Sequence, residues 1–162
     1  MFRKILASAA SVMVAASAVT ALGTSANADP AYLRIISVDD SSKVIADAGN
    51  RRVELQVWNG DLNQKWERIN RKGEYYQYRN ARSGGCLAVP NSSTKDIDLI
   101  TYKCEVTFDD QFWKRIQASK GRELENLSTR KCVAYRNLVA GSAIKQQECG
   151  DDSNEEWYFD AL

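Results

Sequence analysis

Residues 63–69 read NQKWERI, and the pattern returns as DQFWKRI at 110–116 and, more weakly, as NEEWYF at 154–159. Trp113 follows Trp66 by 47 residues, and Trp157 follows Trp113 by 44 residues. A period of this length indicates repeated structural units, each too small to bury a stable core alone. The segments therefore predict three repeats, at about residues 31–70, 74–117 and 121–162.

Each repeat contains short stretches in which apolar and polar residues alternate, between turns rich in Gly, Asn, Ser and Asp. Such alternation is typical of half-buried β-strands. The first three predicted strands of the repeats are residues 32–35, 43–46 and 53–58, then 76–78, 85–89 and 97–102, and finally 124–127, 131–135 and 143–147. A fourth strand begins at each Q-x-W segment. No helical stripe of useful length occurs, so we predict an all-β protein of twelve short strands.

Three four-stranded repeats related by pseudo-threefold symmetry can close a shared barrel and leave no long open edge. Trp66, Trp113 and Trp157 are the expected lining of its core, because each holds the same place in its repeat. Burying a large indole removes much apolar surface from water. We therefore assign these three tryptophans to the core and not to a binding site.

The first 28 residues have the layout of a secretory signal peptide. Arg3 and Lys4 give a positive start, residues 5–22 carry no charge, and Ala26-Asn27-Ala28 offers small residues for cleavage. A membrane anchor is the alternative, but the run is rich in Ala and Ser rather than Leu. We expect residues 1–28 to be removed, residues 29–162 to form the domain, and the mature protein to be secreted.

Composition excludes several functions. The chain has no His, so it lacks the imidazole base of Ser–His and Cys–His pairs and the commonest metal ligand. Its formal charge is +1, or −1 once Arg3 and Lys4 are removed, which argues against a nucleic-acid binder. The Asp doublets fit turns better than the paired carboxylates of a glycoside hydrolase. We expect no catalytic residue, no metal or other cofactor, no nucleic-acid or membrane partner, and a monomer.

Cys86, Cys104, Cys132 and Cys149 predict disulfides, because their number is even and the domain is small and exported. No C-x-x-C pair occurs, which argues against a four-thiolate zinc site. Three connectivities are possible. The separations of 18 residues for the first two cysteines and 17 for the last two indicate two copies of one looped unit.

With three repeats of about 45 residues, their Q-x-W segments and two evenly spaced Cys pairs, residues 29–162 resemble the ricin B-chain-type β-trefoils. This group contains the R-type lectins and the family 13 carbohydrate-binding modules. The resemblance implies the disulfides Cys86–Cys104 and Cys132–Cys149. It also implies up to three shallow sugar pockets, each with a stacking aromatic residue on the third strand. An Asp two residues after the first Cys position, and Asn or Gln beside the core Trp, would bind the sugar hydroxyls.

Carried onto this sequence, the family pattern gives candidate carbohydrate-binding residues in two repeats. The first repeat, which we expect to be the best site, offers a stacking ring and three polar groups: Trp58, Gln56, Asn63 and Gln64. Asp47 lies one residue past the family's Asp position and joins them only if the strand bulges or ends there. The second repeat offers Tyr102, Asp110 and Gln111. In the third, Gln147 replaces the aromatic residue and Glu155 replaces the Gln.

The family's Asp position holds Ala46, Ala88 and Ala134 in the three repeats. Losing a charged acceptor costs about 2–3 kcal/mol, roughly 30-fold to 150-fold in affinity. Our leading hypothesis is a secreted, non-enzymatic protein that binds a glycan or polysaccharide of unknown identity. The alternative is a trefoil scaffold that binds a protein partner, as an inhibitor or toxin component, with decayed sugar pockets. At the level of single residues, Trp58 could equally cap the barrel, and Gln64 and Gln111 could bond local backbone.

Overall fold

The structure is a computed structural model that describes residues 31–150 and 152–162. The predicted signal peptide, residues 1–28, lies outside the described residues. No helix among the described residues is both long and apolar enough to cross a membrane.

Twelve β-strands and four single-turn 3₁₀ helices form the described chain, as the all-β prediction requires. The strands are β1 Tyr32–Ser37, β2 Lys43–Gly49, β3 Arg52–Val57, β4 Trp66–Lys72, β5 Tyr75–Asn80, β6 Cys86–Ala88, β7 Ile100–Tyr102, β8 Trp113–Gln117, β9 Arg122–Asn126, β10 Cys132–Tyr135, β11 Ile144–Gln147 and β12 Trp157–Ala161. The 3₁₀ turns are Leu62–Gln64, Pro90–Ser92, Asp109–Gln111 and Ser153–Glu155. Three of these turns lie directly before β4, β8 and β12, so each repeat enters its fourth strand in the same way.

Six strands close a barrel. β1 pairs with β12 and β4, β5 pairs with β4 and β8, and β9 pairs with β8 and β12. The hairpins β2–β3, β6–β7 and β10–β11 are joined to one another by three single bridges, Arg52–Ile100, Glu54–Ala143 and Asp98–Lys145. Each repeat therefore places two of its four strands in the barrel and the other two in a hairpin of the triplet, which is the β-trefoil arrangement.

The three repeat tryptophans are fully buried in one hydrophobic core, as predicted. Each indole N–H donates to a carbonyl in the second strand of its own repeat, at 2.9 Å in every case. The acceptors are Ile45 O, Leu87 O and Val133 O. These residues directly precede the three Ala residues at the family's Asp position. Because a buried indole N–H needs a partner, the tryptophan fixes the second strand against the barrel.

Both disulfides implied by the resemblance are present, Cys86–Cys104 and Cys132–Cys149. Each closes a loop of 17 or 18 residues, and a loop of this length contributes about 3 kcal/mol by restricting the unfolded chain. The first repeat has Val44 and Gly60 at the equivalent positions. Two of the three repeats are therefore cross-linked between their second strand and the loop that follows their third.

The third strands of the first two repeats differ from their predicted bounds, 53–58 and 97–102. β3 ends at Val57, so Trp58 lies just beyond it, and the Trp58 amide donates to Ser42 O at 2.8 Å. β7 contains only Ile100–Tyr102. The main chain before it bonds to the third repeat, since Leu99 N donates to Ile144 O at 2.8 Å and Gln146 N donates to Ile97 O at 3.0 Å.

Candidate functional site

A cavity of about 750 Å³ lies in the second repeat. Tyr102 and Phe108 supply its aromatic walls and are 43% and 45% exposed, so both rings are accessible from solvent. Ala88 and Asp110 also line it. A concavity with aromatic walls and a few fixed polar groups is the usual form of a small-ligand site. We call it the second-repeat cavity.

Asp110 brings a carboxylate to this cavity from the turn before β8. Its main chain is fixed, because its carbonyl oxygen accepts from Val89 N at 3.1 Å and from Asn126 Nδ2 at 2.9 Å. In the side chain, Oδ2 accepts from Ser92 Oγ at 3.1 Å, whereas Oδ1 is buried without a hydrogen-bond partner among the described residues. Burial raises the pKa of this carboxyl, although hydrogen bonds from Ser92 oppose the shift. A buried acceptor of this kind is available to a donor from a ligand.

Gln111 is fully buried and holds the loop between β7 and β8. Its Nε2 donates to Lys103 O at 2.9 Å, and its Oε1 accepts from Glu105 N at 2.9 Å and from Gln77 Nε2 at 2.8 Å. Gln77, also fully buried, was not among the predicted site residues. The sequence showed only that it lies in a strand, and gave no sign that it contacts Gln111. Gln111 lines the second-repeat cavity, and its side-chain hydrogen bonds shape the loop that carries Phe108.

Arg51 reaches the second-repeat cavity from the first repeat and was missed by the sequence analysis. It lies in the turn between β2 and β3 with φ of 65°, and its Cζ is 4.7 Å from the centroid of the Tyr102 ring. Arg51 also lines a neighbouring cavity of about 430 Å³. Nothing in its turn sequence indicates that it would cover an aromatic ring 51 residues away. Phe108 did carry a signal, since it is an aromatic residue two positions before Asp110.

The candidate residues of the first repeat lie together, but they bond mainly to one another. Asn63 Nδ2 donates to Gln56 Oε1 and to the Asp47 carbonyl, both at 3.1 Å. Gln64 donates to the main-chain oxygen of residue 57 and accepts from the amide of residue 59, both at 2.8 Å. Asn63 and Gln64 are only 6% and 1% exposed. Like Gln111, the Gln64 side chain therefore holds the loop that follows the third strand.

Trp58 is half-buried and lies outside the hydrophobic core, so it does not cap the barrel. The Arg34 guanidinium covers one face of the ring, with Cζ 5.0 Å from its centroid. Asp160 holds Arg34 in place through a 2.7 Å hydrogen bond. A sugar could stack on that face of Trp58 only if the guanidinium moved.

The bulge that Asp47 requires is present, since the β2–β3 register shifts between Asp47 and Gly49. Asp47 is 4% exposed, its Oδ1 accepts from Gly49 N at 2.9 Å, and its buried Oδ2 has no partner within the described chain. Asp47 is therefore a buried residue with one carboxylate oxygen that bonds to nothing else in the described chain. Asp47 lines the neighbouring cavity together with Ser83 and Tyr102, at the junction of the first two repeats.

In the third repeat, Gln147 and Glu155 bond to each other through Gln147 Nε2 and Glu155 Oε1. The second carboxylate oxygen of Glu155 accepts from Gly150 N at 2.7 Å. Burial raises the pKa of Glu155, although the hydrogen bonds from Gln147 and Gly150 oppose the shift. In the third repeat, the bonded pair of Gln147 and Glu155 thus occupies the positions that hold an aromatic residue and a Gln in the other repeats.

Comparisons with known proteins agree with this architecture. The chain matches the family model described as ricin-type beta-trefoil lectin domain-like, over residues 22–96 and 62–137. No curated protein sequence matches it. The designed three-fold symmetric protein ThreeFoil superposes with a TM-score of 0.75 at 22% identity, over 81% of this chain and 99% of that chain.

Two natural proteins show the same fold within longer chains. The exo-beta-1,3-galactanase from Clostridium thermocellum gives a TM-score of 0.75 at 22% identity, over 83% of this chain and 31% of that chain. The Polyporus squamosus lectin, solved bound to Neu5Acα2-6Galβ1-4GlcNAc, gives 0.66 at 18% identity, over 79% of this chain and 48% of that chain. The chain thus spans less than half the length of these two proteins. With its family match, twelve strands and three buried tryptophans, it belongs to the ricin-type β-trefoil lectin-like family.

Proposed function

We propose that this protein is a secreted, non-enzymatic carbohydrate-binding module whose main pocket is the second-repeat cavity. The observation that carries the proposal is Asp110, which lines a cavity walled by Tyr102 and Phe108 and whose buried Oδ1 has no partner within the described chain. The family's Asp position is Ala88 here, and Ala88 lines the same cavity. We infer that the carboxylate acceptor has moved from β6 to the turn before β8.

The chemistry of binding follows from these groups. A pyranose would place its apolar face on Tyr102 or Phe108 and donate a hydroxyl to Asp110 Oδ1. A hydrogen bond to a charged acceptor contributes about 1.5–3 kcal/mol, whereas neutral bonds mostly replace equally good bonds to water. Because the Asp110 main chain is held by Val89 and Asn126, little ordering entropy is lost on binding.

The adjoining cavity extends the proposed pocket. Tyr102 and Arg51 line both spaces, and the second is also lined by Asp47, whose buried Oδ2 has no partner within the described chain. An oligosaccharide lying across Tyr102 would therefore have a carboxylate with one unpartnered oxygen on each side. The first repeat, with Trp58, Gln56 and Asn63, is our second candidate pocket. It requires Arg34 to leave the Trp58 ring and Asn63 to exchange its internal hydrogen bonds.

The same proposal covers the setting of the protein. The two disulfides are compatible with an oxidising compartment outside the cell. We propose that residues 1–28 direct export and are then removed, and that the mature protein acts as a monomer on a glycan or polysaccharide. Neither a membrane nor a nucleic acid is a proposed partner.

The test is a glycan array followed by calorimetric titration of the sugars that bind. Asp110→Ala should weaken binding tenfold to a hundredfold, equivalent to about 1.4–2.8 kcal/mol. Asp152→Ala removes the same charge from an exposed turn of the third repeat and should leave affinity unchanged. The proposal fails if no sugar binds at millimolar concentration, or if the two variants behave alike.

The second candidate function, recognition of a protein partner, is favoured by the closure of two repeats. The polar candidates of the first repeat and the Gln147–Glu155 pair of the third are bonded internally. A partner captured from the protein's native secretions and unaffected by free sugars would support this function. Displacement of the partner by free sugar would exclude it.

A further inference from the structure

Three arginines lie on the face of the barrel strands that also carries the core tryptophans. Arg68 and Arg115 lie two residues after Trp66 and Trp113, so each shares the strand face of its core tryptophan. Arg122 pairs directly with Trp157 across β9 and β12 and shares that face as well. We call Arg68, Arg115 and Arg122 the arginine cluster.

Within residues 31–150 and 152–162, no carboxylate forms an ion pair with the arginine cluster. Each ion pair there uses a Lys or Arg outside the cluster. Arg115 Nε donates to Tyr78 OH at 2.9 Å, and its Cζ lies 3.7 Å from the Phe159 ring centroid. Its Nη2 is buried and has no hydrogen-bond partner among the described residues. A buried guanidinium donor without an acceptor is costly, so it calls for an acceptor from outside the protein.

Electrostatics agree with this geometry. Burial lowers the pKa of Arg115, and the positive charges of Arg68 and Arg122 lower it further. The guanidinium remains charged at physiological pH. An anion placed among the three side chains would relieve both their mutual repulsion and the missing hydrogen bond.

The cluster opens into a cavity of about 360 Å³ lined by Arg115, Arg122, Lys120, Gln117 and residues 157–159. The nearby carboxylate of Glu156 is already saturated. It accepts from Lys120 N at 2.6 Å, Gly121 N at 2.7 Å and Ser119 Oγ at 2.6 Å. Glu156 therefore holds the β8–β9 turn and leaves the charges of Arg115 and Arg122 uncompensated.

We propose that this cavity is an oxyanion site that binds a sulfate or phosphate group through Arg115 Nη2 and Arg122. A guanidinium matches such groups well, because its planar fork can donate two hydrogen bonds to two oxygens of one anion. The positive charge of Arg68 adds long-range attraction for the anion, and Lys120, which also lines the cavity, adds a further cation on a flexible side chain. The site shares no residue with the second-repeat cavity and does not depend on sugar binding there.

The test is thermal unfolding with inorganic sulfate and then inorganic phosphate at low millimolar concentration, with ionic strength held constant by sodium chloride. The folded protein should be stabilised saturably by either oxyanion but not by chloride. Arg122→Gln should weaken the apparent affinity at least tenfold. Arg82→Gln removes the same charge from the exposed turn between β5 and β6 and should behave like the parent protein. Equal stabilisation by chloride, or an unchanged response in Arg122→Gln, would overturn the site.

Further variants define the source of the anion and keep the test independent of folding. Arg115→Met should abolish the response, and circular dichroism must first show that it retains the strand structure. Because Arg122 is exposed, Arg122→Gln remains decisive if Arg115→Met misfolds. Tighter binding of a chondroitin sulfate oligosaccharide than of free sulfate would assign the group to a glycan, whereas equal binding would assign it to the free anion. Asp110→Ala should leave the oxyanion response intact, so failure of the sugar pocket and failure of this site are separable.

Discussion

The first and second repeats place related side chains at matching positions but use them differently. In the first, the Asn63 Nδ2 group donates to Gln56 and to the Asp47 carbonyl, and Arg34 covers a face of Trp58. In the second, Asp110 replaces the Asn and keeps a buried oxygen without a described partner. One polar position thus stabilises the loop in one repeat and remains available to a ligand in the other.

This difference follows from hydrogen-bond chemistry. An Asn side chain carries two N–H donors, so Asn63 can donate to the side-chain oxygen of Gln56 and to a main-chain carbonyl. An ionised Asp only accepts, so Asp110 cannot form the equivalent bonds and must find donors. Ser92 supplies one. The comparison therefore predicts that the first repeat's residues contribute mainly to stability and those of the second mainly to affinity.

The largest expected effect concerns the cross-link that only one of these two repeats has. Replacing Cys86 and Cys104 together by Ser should lower the free energy of unfolding by about 3 kcal/mol and weaken sugar binding, because Cys104 anchors the loop that carries Phe108. The measurement is urea denaturation with parallel calorimetric titration. Replacing Cys132 and Cys149 is the matched control, which should destabilise equally but spare affinity. Equal loss of affinity in both variants would contradict the assignment of the pocket to the second repeat.

The second prediction compares the two equivalent polar residues directly. Asn63→Ala should lower the free energy of unfolding by about 1–3 kcal/mol, because the Gln56 oxygen and the Asp47 carbonyl lose a buried donor. Asp110→Ala should lower affinity with a much smaller effect on stability. Denaturation curves and titrations of both variants check this. If Asn63→Ala reduced affinity as strongly as Asp110→Ala, the first repeat would have to be counted as a working pocket.

The third prediction compares the aromatic residues. Tyr102→Ala should weaken sugar binding by about tenfold, near the upper end of aromatic contact energies of about 0.5–1.5 kcal/mol. Trp58→Ala should change it little, since Arg34 already occupies one face of that ring. Titration of one sugar against both variants is sufficient. The opposite ranking would restore the first repeat as the main site.

The smallest effect extends the comparison to the third repeat, where Glu155 stands in place of Gln64 and Gln111. Burial raises the Glu155 pKa in the folded state, so folding favours the protonated form. Its contribution to stability is present below the unfolded carboxyl pKa of about 4.3 and is lost as pH rises through the folded value. Glu155→Gln should therefore raise stability at pH 7 by less than about 1 kcal/mol, with the gain shrinking toward pH 4. A gain of equal size at both pH values would show that charge burial is not its cause.

Much of the fold could be predicted because the same sequence pattern occurs in three repeats. The recurring tryptophans fixed the number of repeats, and alternation located all twelve strands to within a few residues. The candidate site was less predictable. The reach of Arg51 to Tyr102, the Ser92–Asp110 hydrogen bond and the bonding of residues 97–99 to the third repeat all depend on contacts between distant segments. Alternation indicates which face a side chain occupies but not which partner it meets there.

The three indole hydrogen bonds have a consequence for how such a protein evolves. Each repeat holds its second strand through a hydrogen bond from a tryptophan to a backbone carbonyl. Every amino acid has this carbonyl, so a mutation of the side chain at that position leaves the acceptor in place. The ancestral copies could therefore diverge in their binding residues without losing the frame they inherited. The first repeat has no cross-link, the third has Glu155 where the others have Gln, and the second carries Asp110 in the turn before β8. Because the shared frame does not depend on these side chains, a substitution in one pocket can leave the other two repeats intact.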